Sequence, residues 1–137
     1  MSKLIVMVGL PRAGKSTRAK ELSKQLGAPI IGGDAMRLAL HGERFLTPAE
    51  LLVHPFVTLC VRALFHAGHE VVIIDECNVS PKRRERWLNE FGGHEIVFEF
   101  VATSKEECIA RAQKMGDAVI IPVIERMAAE LDPLIEK

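Results

Sequence analysis

The sequence predicts an α/β fold with a parallel sheet, on three observations. Short apolar runs alternate along the chain with segments of helical periodicity bounded by caps. The first of these runs, Leu4 to Val8, is continuously apolar, as strands covered on both faces are. Neither a repeat, nor a low-complexity stretch, nor a linker interrupts the pattern. With 137 residues and 48% hydrophobic content, the chain has the size and composition of one compact domain spanning 1–137.

Leu4-Ile5-Val6-Met7-Val8 is the first expected strand. Ala19, Leu22 and Leu26 then recur at helical spacing, with Gly27 as a stop. A second strand is expected over Pro29 to Ile31, ending at Gly32-Gly33, and a short helix over Asp34 to Leu40 with Asp34 at or near its cap. Thr47-Pro48-Ala49-Glu50 is a capping box with proline at the first helical position. Pro55 lies inside the helix it opens, which predicts a kink or two segments, the longer from Pro55 to Ala67. The β-branched run Glu70 to Asp75 is the third strand. Ser80-Pro81 starts a helix reaching about Phe91, and Glu95 to Val101 is the fourth strand. Ser104 with Glu107 forms a second capping box, opening a helix to about Met115. Pro122 opens the last helix, whose apolar face is Val123, Met127 and Leu131, with Ile124 and Ala128 beside it. Four parallel strands, or five, wrapped by helices into three layers are expected, with any site at the carboxyl ends of the strands.

Between the first strand and the first helix, residues Gly9 to Ser16 read Gly-Leu-Pro-Arg-Ala-Gly-Lys-Ser. This is a full match to the phosphate-binding pattern G-x-x-x-x-G-K-[ST], in the strand–loop–helix context its mechanism requires. It makes the expected fold that of the P-loop NTPases. Gly9 and Gly14 are expected to supply torsions that a side chain would obstruct. The loop then forms a nest of N–H groups around a phosphate, backed by the positive end of the helix. Lys15 is placed to reach the β- and γ-phosphates and Ser16 to coordinate Mg²⁺.

Composition narrows the partners. Lys plus Arg and Asp plus Glu both number 18, so no net field draws in long polynucleotides, although binding at a strand end stays open. There is no Tyr and one Trp, so platforms for stacking bases are few. No apolar run reaches the ~18 residues that a membrane span needs, and the N-terminus reads as a strand rather than a signal peptide. Cys60, Cys77 and Cys108 are odd in number and lack metal-ligand spacing, which points to reduced thiols in the cytoplasm. The five His residues also lack such spacing.

Several residues outside the loop carry chemistry. Asp75 ends an apolar strand, where P-loop proteins hold Mg²⁺, and Glu76 adjoins it. Asp34 follows the second strand, at the same sheet edge, and suits a base that accepts a hydroxyl proton. Arg37 lies on the same helical face and suits an anionic group; the bland alternatives are an N-cap and a surface ion pair. Arg111 and Lys114 precede a loop at Gly116-Asp117 and suit charge neutralisation over a nucleotide, with Arg126 a further candidate. Lys82, Arg83, Arg84 and Arg86 form a basic run beside Trp87, read as a solvated helix face or as a patch following a nucleic acid strand.

Taken together, the chain resembles P-loop kinases of the polynucleotide 5′-hydroxyl kinase and zeta-toxin type. The carriers are Gly-Leu-Pro-Arg-Ala-Gly-Lys-Ser-Thr at 9–17, Gly-Gly-Asp-Ala-Met-Arg at 32–37 and Ile-Asp-Glu-Cys-Asn-Val-Ser-Pro-Lys-Arg-Arg at 74–84. Arg111 and the run Ile-Pro-Val-Ile-Glu-Arg-Met at 121–127 complete them. The resemblance implies ATP and Mg²⁺ as cofactors. Lys15 and Ser16 would bind them, with nucleotide contacts from Gly9, Arg12, Ala13, Gly14 and Thr17. Asp34 would be the general base, Arg37 would contact an acceptor phosphate, and Arg111 would be a lid arginine. Asp75, Glu76 and Asn78 would line the site, Asp75 toward the metal and Glu76, Asn78 and Arg126 toward the acceptor. Two positions depart from the family: Cys77 stands where a Thr is common, and Met115 where a second lid arginine falls, with Lys114 beside it. The implied reaction moves the ATP γ-phosphate to a hydroxyl. The first acceptor expected is the 5′-hydroxyl of a polynucleotide end; the alternatives are a metabolite, nucleoside or nucleotide, and a nucleotide-binding module without catalysis.

Overall fold

The computed structural model describes residues 2–42 and 50–131. Four strands form one parallel sheet in the order β2-β3-β1-β4. They are β1 (Lys3–Val8), β2 (Ile30–Gly32), β3 (Val71–Asp75) and β4 (Glu95–Phe100). The α/β expectation and the four strands are met, with ends shifted by a residue or two. In β2 the shift comes from pairing: Gly32 sits in register with Asp75, so the strand runs one residue past Ile31.

The helices are α1 (Lys15–Leu26), α2 (Gly33–His41), α3 (Glu50–His66), α4 (Pro81–Glu90), α5 (Lys105–Lys114) and α6 (Ile121–Glu130). The alternation of β1 divides them between two faces. Leu4 and Val6, with Val72 and Ile74, pack against Val53, Val57 and Val61 of α3 and against Trp87 and Phe91. Ile5 and Met7, with Ile73, pack against Ala19 and Leu22 of α1. A third cluster lies above the carboxyl edge, where Leu10 and Ala13 meet Cys108 and Ala112 of α5 and Ile124 of α6. It seats the late helices over the loop that follows β1.

Local chemistry explains the helix starts. Ser80 and Ser104 accept from the N–H of Arg83 and of Glu107, capping α4 and α5 as expected. The reverse half of the box at α5 is replaced, because Glu107 Oε1 instead accepts from Arg111 Nε at 3.2 Å. Pro122 sits in the first turn of α6, preceded by a 3₁₀ turn at Ala118–Ile120, and the expected apolar face packs on the third cluster. Asp34 lies near the cap and not at it: Gly32 holds that position, Asp34 falls in the first turn, and no side chain caps α2. α3 is one helix through Pro55, not two segments. Thr58 Oγ1 donates to the Pro55 carbonyl at 2.9 Å. The 47–50 capping box falls largely outside the described residues.

Candidate active site

Three strand ends converge on one cleft of about 970 Å³. β1 delivers the Gly-rich loop, β2 delivers Asp34 and Arg37, and β3 delivers Asp75, Glu76 and Cys77. Arg111, Lys114, Met115 and Arg126 wall it from the late helices. The carboxyl edge is where a parallel sheet leaves such a crevice.

Within the loop the two glycines have different roles. Gly14 has φ of +101°, a torsion that disfavours any side chain. Gly9 has no such torsion and is needed for space, because a Cβ there would lie 2.8 Å from the Val101 carbonyl oxygen. The expectation that Gly9 supplies a torsion is corrected on that ground. The left-handed position early in the loop is Arg12, at φ +68°. α1 begins with no side-chain cap and no acidic residue in its first turn, so its N-terminal donors are left to an anion. Lys15 is buried, with Nζ donating to the Leu10 carbonyl at 2.6 Å.

At the floor of the cleft, Ser16 Oγ donates to Asp75 Oδ2 at 2.7 Å. Adjacent hydroxyl and carboxylate oxygens are the donor set a hard cation takes. No group of three or more His, Cys, Asp or Glu side chains forms a metal cage among the described residues. Mg²⁺ is commonly held by one or two protein oxygens together with phosphate and water, and Ser16 and Asp75 offer two oxygens here. Beside them the Cys77 thiol is pushed up by burial, against the charge of Lys15, and stays neutral.

Across the cleft, Arg37 Nη1 donates to Asp34 Oδ1 at 2.9 Å. Behind this pair, burial pushes the Glu76 carboxyl up, while Arg37 and then Arg83 pull it down. Its Oε1 is shut off from solvent and has no hydrogen-bond partner among the described residues.

The late helices are tied to the loop. Arg111 Nη1 donates to the Arg12 carbonyl at 3.1 Å. Arg12 Nη2 reaches back to Asp117 Oδ2 at 2.6 Å, and Nη1 to Met115 Sδ at 3.4 Å. The guanidinium expected to face a nucleotide therefore clasps the segment after α5.

Lys15, Ser16, Thr17, Asp34, Arg37, Asp75, Glu76, Arg111 and Arg126 all line the cleft, as do Arg12 and Gly14. Gly9 and Ala13 do not. Gly9 walls a smaller cavity of about 500 Å³ between the end of β4, α5 and α6. Ala13 is buried, its N–H bonded to Leu10 and its carbonyl to Thr103 Oγ1. Asn78 is also placed elsewhere than expected. It is 1% exposed, its Nδ2 donates to the Met7 carbonyl at 2.9 Å, and its Oδ1 accepts from Trp87 Nε1 at 2.8 Å. The basic run at 82–86 divides. Arg84 is buried, donating to the Asn78 and Val79 carbonyls, whereas Arg83 lines the cleft beside Glu76. Sequence reasoning missed Arg83 as an individual; the signal was the Ser80 cap, which puts residue 83 in the first turn at the sheet's carboxyl edge. It missed Asp117 altogether.

No curated protein sequence matches this chain. Two structures of the Pnkp1/Rnl/Hen1 complex, one described as an RNA repair complex, match with TM-scores of 0.73 and 0.72 at 21% and 27% identity. They cover 96% and 80% of this chain but only 46% and 38% of theirs, so the chain spans less than half the length of those relatives. A gluconokinase from Sinorhizobium meliloti 1021 matches at TM-score 0.66 and 20% identity, over 95% of this chain and 75% of its own. The Mycobacterium tuberculosis APS kinase CysC, solved with AMPPNP and APS, matches at 0.62 and 22%, over 82% and 69%. No helix among the described residues is long and apolar enough to cross a membrane. The profile of the AAA domain family matches residues 4–134, and the chain belongs to that family, with the fold of the P-loop kinases.

Proposed function

We propose that the protein is an ATP- and Mg²⁺-dependent kinase that moves the γ-phosphate to a hydroxyl, in first place the 5′-hydroxyl of a polynucleotide end. One observation carries it: a hydroxyl–carboxylate pair and a carboxylate–guanidinium pair face one cleft, the first beside the Gly-rich loop and the second across from it. The arrangement suits in-line transfer. Asp34 takes the hydroxyl proton as the acceptor oxygen bonds to phosphorus. The bond to the bridging oxygen breaks, and its electron pair leaves with ADP. Mg²⁺ held at Ser16 and Asp75 would screen phosphate charge. Lys15 would leave the Leu10 carbonyl for the phosphates, and Arg111 sits over the same loop to neutralise developing charge.

The polynucleotide reading is supported by Arg37, Arg83 and Arg126 in the same cleft and by likeness to the Pnkp1/Rnl/Hen1 complex. A smaller hydroxyl acceptor is the second reading. It is favoured by the zero net charge and by the gluconokinase, three quarters of whose length this chain spans. γ-Labelled ATP and Mg²⁺ offered with a 5′-hydroxyl oligonucleotide, and separately with nucleosides and sugars, decides between them. Label on the oligonucleotide that Lys15→Ala abolishes supports the first reading. Label on a small acceptor alone replaces it with the second. Nucleotide binding without transfer to any acceptor leaves a binding module.

A further inference from the structure

Several guanidiniums of this chain are held by carboxylates. Arg12 is paired with Asp117, Arg18 with Glu21 and Glu99, Arg37 with Asp34 and Arg111 with Glu107. One flank of α4 differs. Lys82, Arg83 and Arg86 are exposed, and their side chains make no hydrogen bond or ion pair among the described residues. Arg86 lies four residues from Lys82 and three from Arg83, so the three form one contiguous strip on the helix surface. Arg83 lines the cleft, and Arg86 stands a turn further along α4, beyond the cleft wall. The placement runs against the electrostatics of the helix. Lys82 and Arg83 fall in the first turn of α4, which holds no acidic residue, and cations at that end oppose the helix dipole. α5 has the favourable order, with Glu106 and Glu107 in its first turn and Arg111 and Lys114 in its last. Solubility alone gives no reason to gather cations at the positive end of a helix beside a cleft. An anion laid along the strip offsets both the dipole and the mutual repulsion of the three charges.

We propose that Arg83, Arg86 and Lys82 form a phosphate track that carries the acceptor strand out of the cleft along α4, gripping its backbone on the 3′ side of the terminal nucleotide. Aromatic platforms for bases are scarce, since the chain has no Tyr and its one Trp is buried in the core, so the grip falls to the phosphates. The inference rests on the polynucleotide reading and adds a length requirement to it. Acceptors long enough to reach Arg86 bind better than a single nucleotide, with little preference for base sequence.

The test compares wild type with a Lys82→Gln/Arg86→Gln variant and with a control, Lys20→Gln/Lys24→Gln, that removes two exposed cations from α1 on the other face of the sheet. Each is assayed for transfer of γ-label from ATP to a 5′-hydroxyl oligonucleotide and, separately, to a nucleoside 3′-monophosphate, at rising monovalent salt. For the α4 variant, KM for the oligonucleotide is expected to rise by roughly 10-fold. The fall of log(kcat/KM) with log salt should flatten by about 1.4, or about 0.7 for each of two phosphates on a single strand. Its kcat at saturating oligonucleotide, its KM for the monophosphate and its affinity for ATP stay at wild-type values. Its Tm does not fall, because the charge of Lys82 leaves the positive end of the helix dipole. An unchanged KM and salt slope with the oligonucleotide, an equal rise in KM with the monophosphate, or the same change in the control overturns the proposal and leaves the polynucleotide reading standing. Wild type that labels no oligonucleotide overturns both.

Discussion

Replacing Asn78 with alanine should unfold the protein early and leave acceptor recognition untouched. The β1–β3 ladder ends at the Val6–Ile74 pair, and beyond it Asn78 Nδ2 supplies the hydrogen bond to Met7 O. On its other side Oδ1 satisfies the indole N–H of Trp87, a residue 1% exposed in the core cluster shared with Leu4, Val6 and Phe91. Alanine strands a buried carbonyl and a buried indole donor together, at about 1–3 kcal/mol each. Asn78 also sits at φ +49°, where alanine fares worse than asparagine by roughly 1 kcal/mol. The loss is therefore about 3–7 kcal/mol, against a total of about 5–15 kcal/mol for a domain. For a chain of this size that lowers Tm by roughly 10–25 °C. Thermal unfolding followed by circular dichroism measures it, with ATP and acceptor affinity determined well below the transition. A Tm within ~2 °C of wild type, with weakened acceptor binding, would refute the structural role and return Asn78 to the substrate.

The two loop glycines should separate by readout. Gly14→Ala forces a side chain into φ +101° and should weaken ATP binding by roughly 10-fold, as titration calorimetry would show. Gly9→Ala should instead lower Tm by several degrees, through its approach to the Val101 carbonyl. Arg12→Ala breaks a part-exposed ion pair worth at most about 1 kcal/mol, so Tm should scarcely move. Amide exchange across 115–118 should nonetheless quicken in that variant, and unchanged exchange would mean that the clasp holds nothing. Asp75→Asn should raise the Mg²⁺ concentration needed for half-maximal turnover by about 10-fold or more while sparing metal-free nucleotide binding. An unaltered Mg²⁺ dependence would remove Asp75 from the metal site.

Much of the fold is legible because several local signals agree. Apolar runs, the caps at Ser80 and Ser104, and the glycine stop at Gly27 point to the same elements the chain adopts. Lys15, Ser16, Asp34 and Asp75 are legible as neighbours because a parallel sheet brings all its strand ends to one edge. What the sequence hides is direction within that edge. Asn78 lies three residues past Asp75, yet its positive φ turns the side chain under β1. Arg83 and Arg84 are consecutive on a helix, so one meets the cleft and the other the interior. The Arg12–Asp117 clasp joins residues 105 apart in sequence, and no local periodicity encodes such a contact. Gly9 was legible as a required glycine, while its reason, the nearness of Val101, depends on β4 lying beside β1.

In the proposed reaction Asp34 takes the proton of a hydroxyl receiving phosphate. Asp34→Asn tests it most directly, with ATP affinity and turnover measured on the same preparation. Asparagine keeps the side-chain shape and gives up the base. ATP affinity is expected within about threefold of wild type and turnover lower by about 10²–10⁴-fold, the range of general-base catalysis. Turnover that survives the substitution, with ATP affinity equally unchanged, would contradict it.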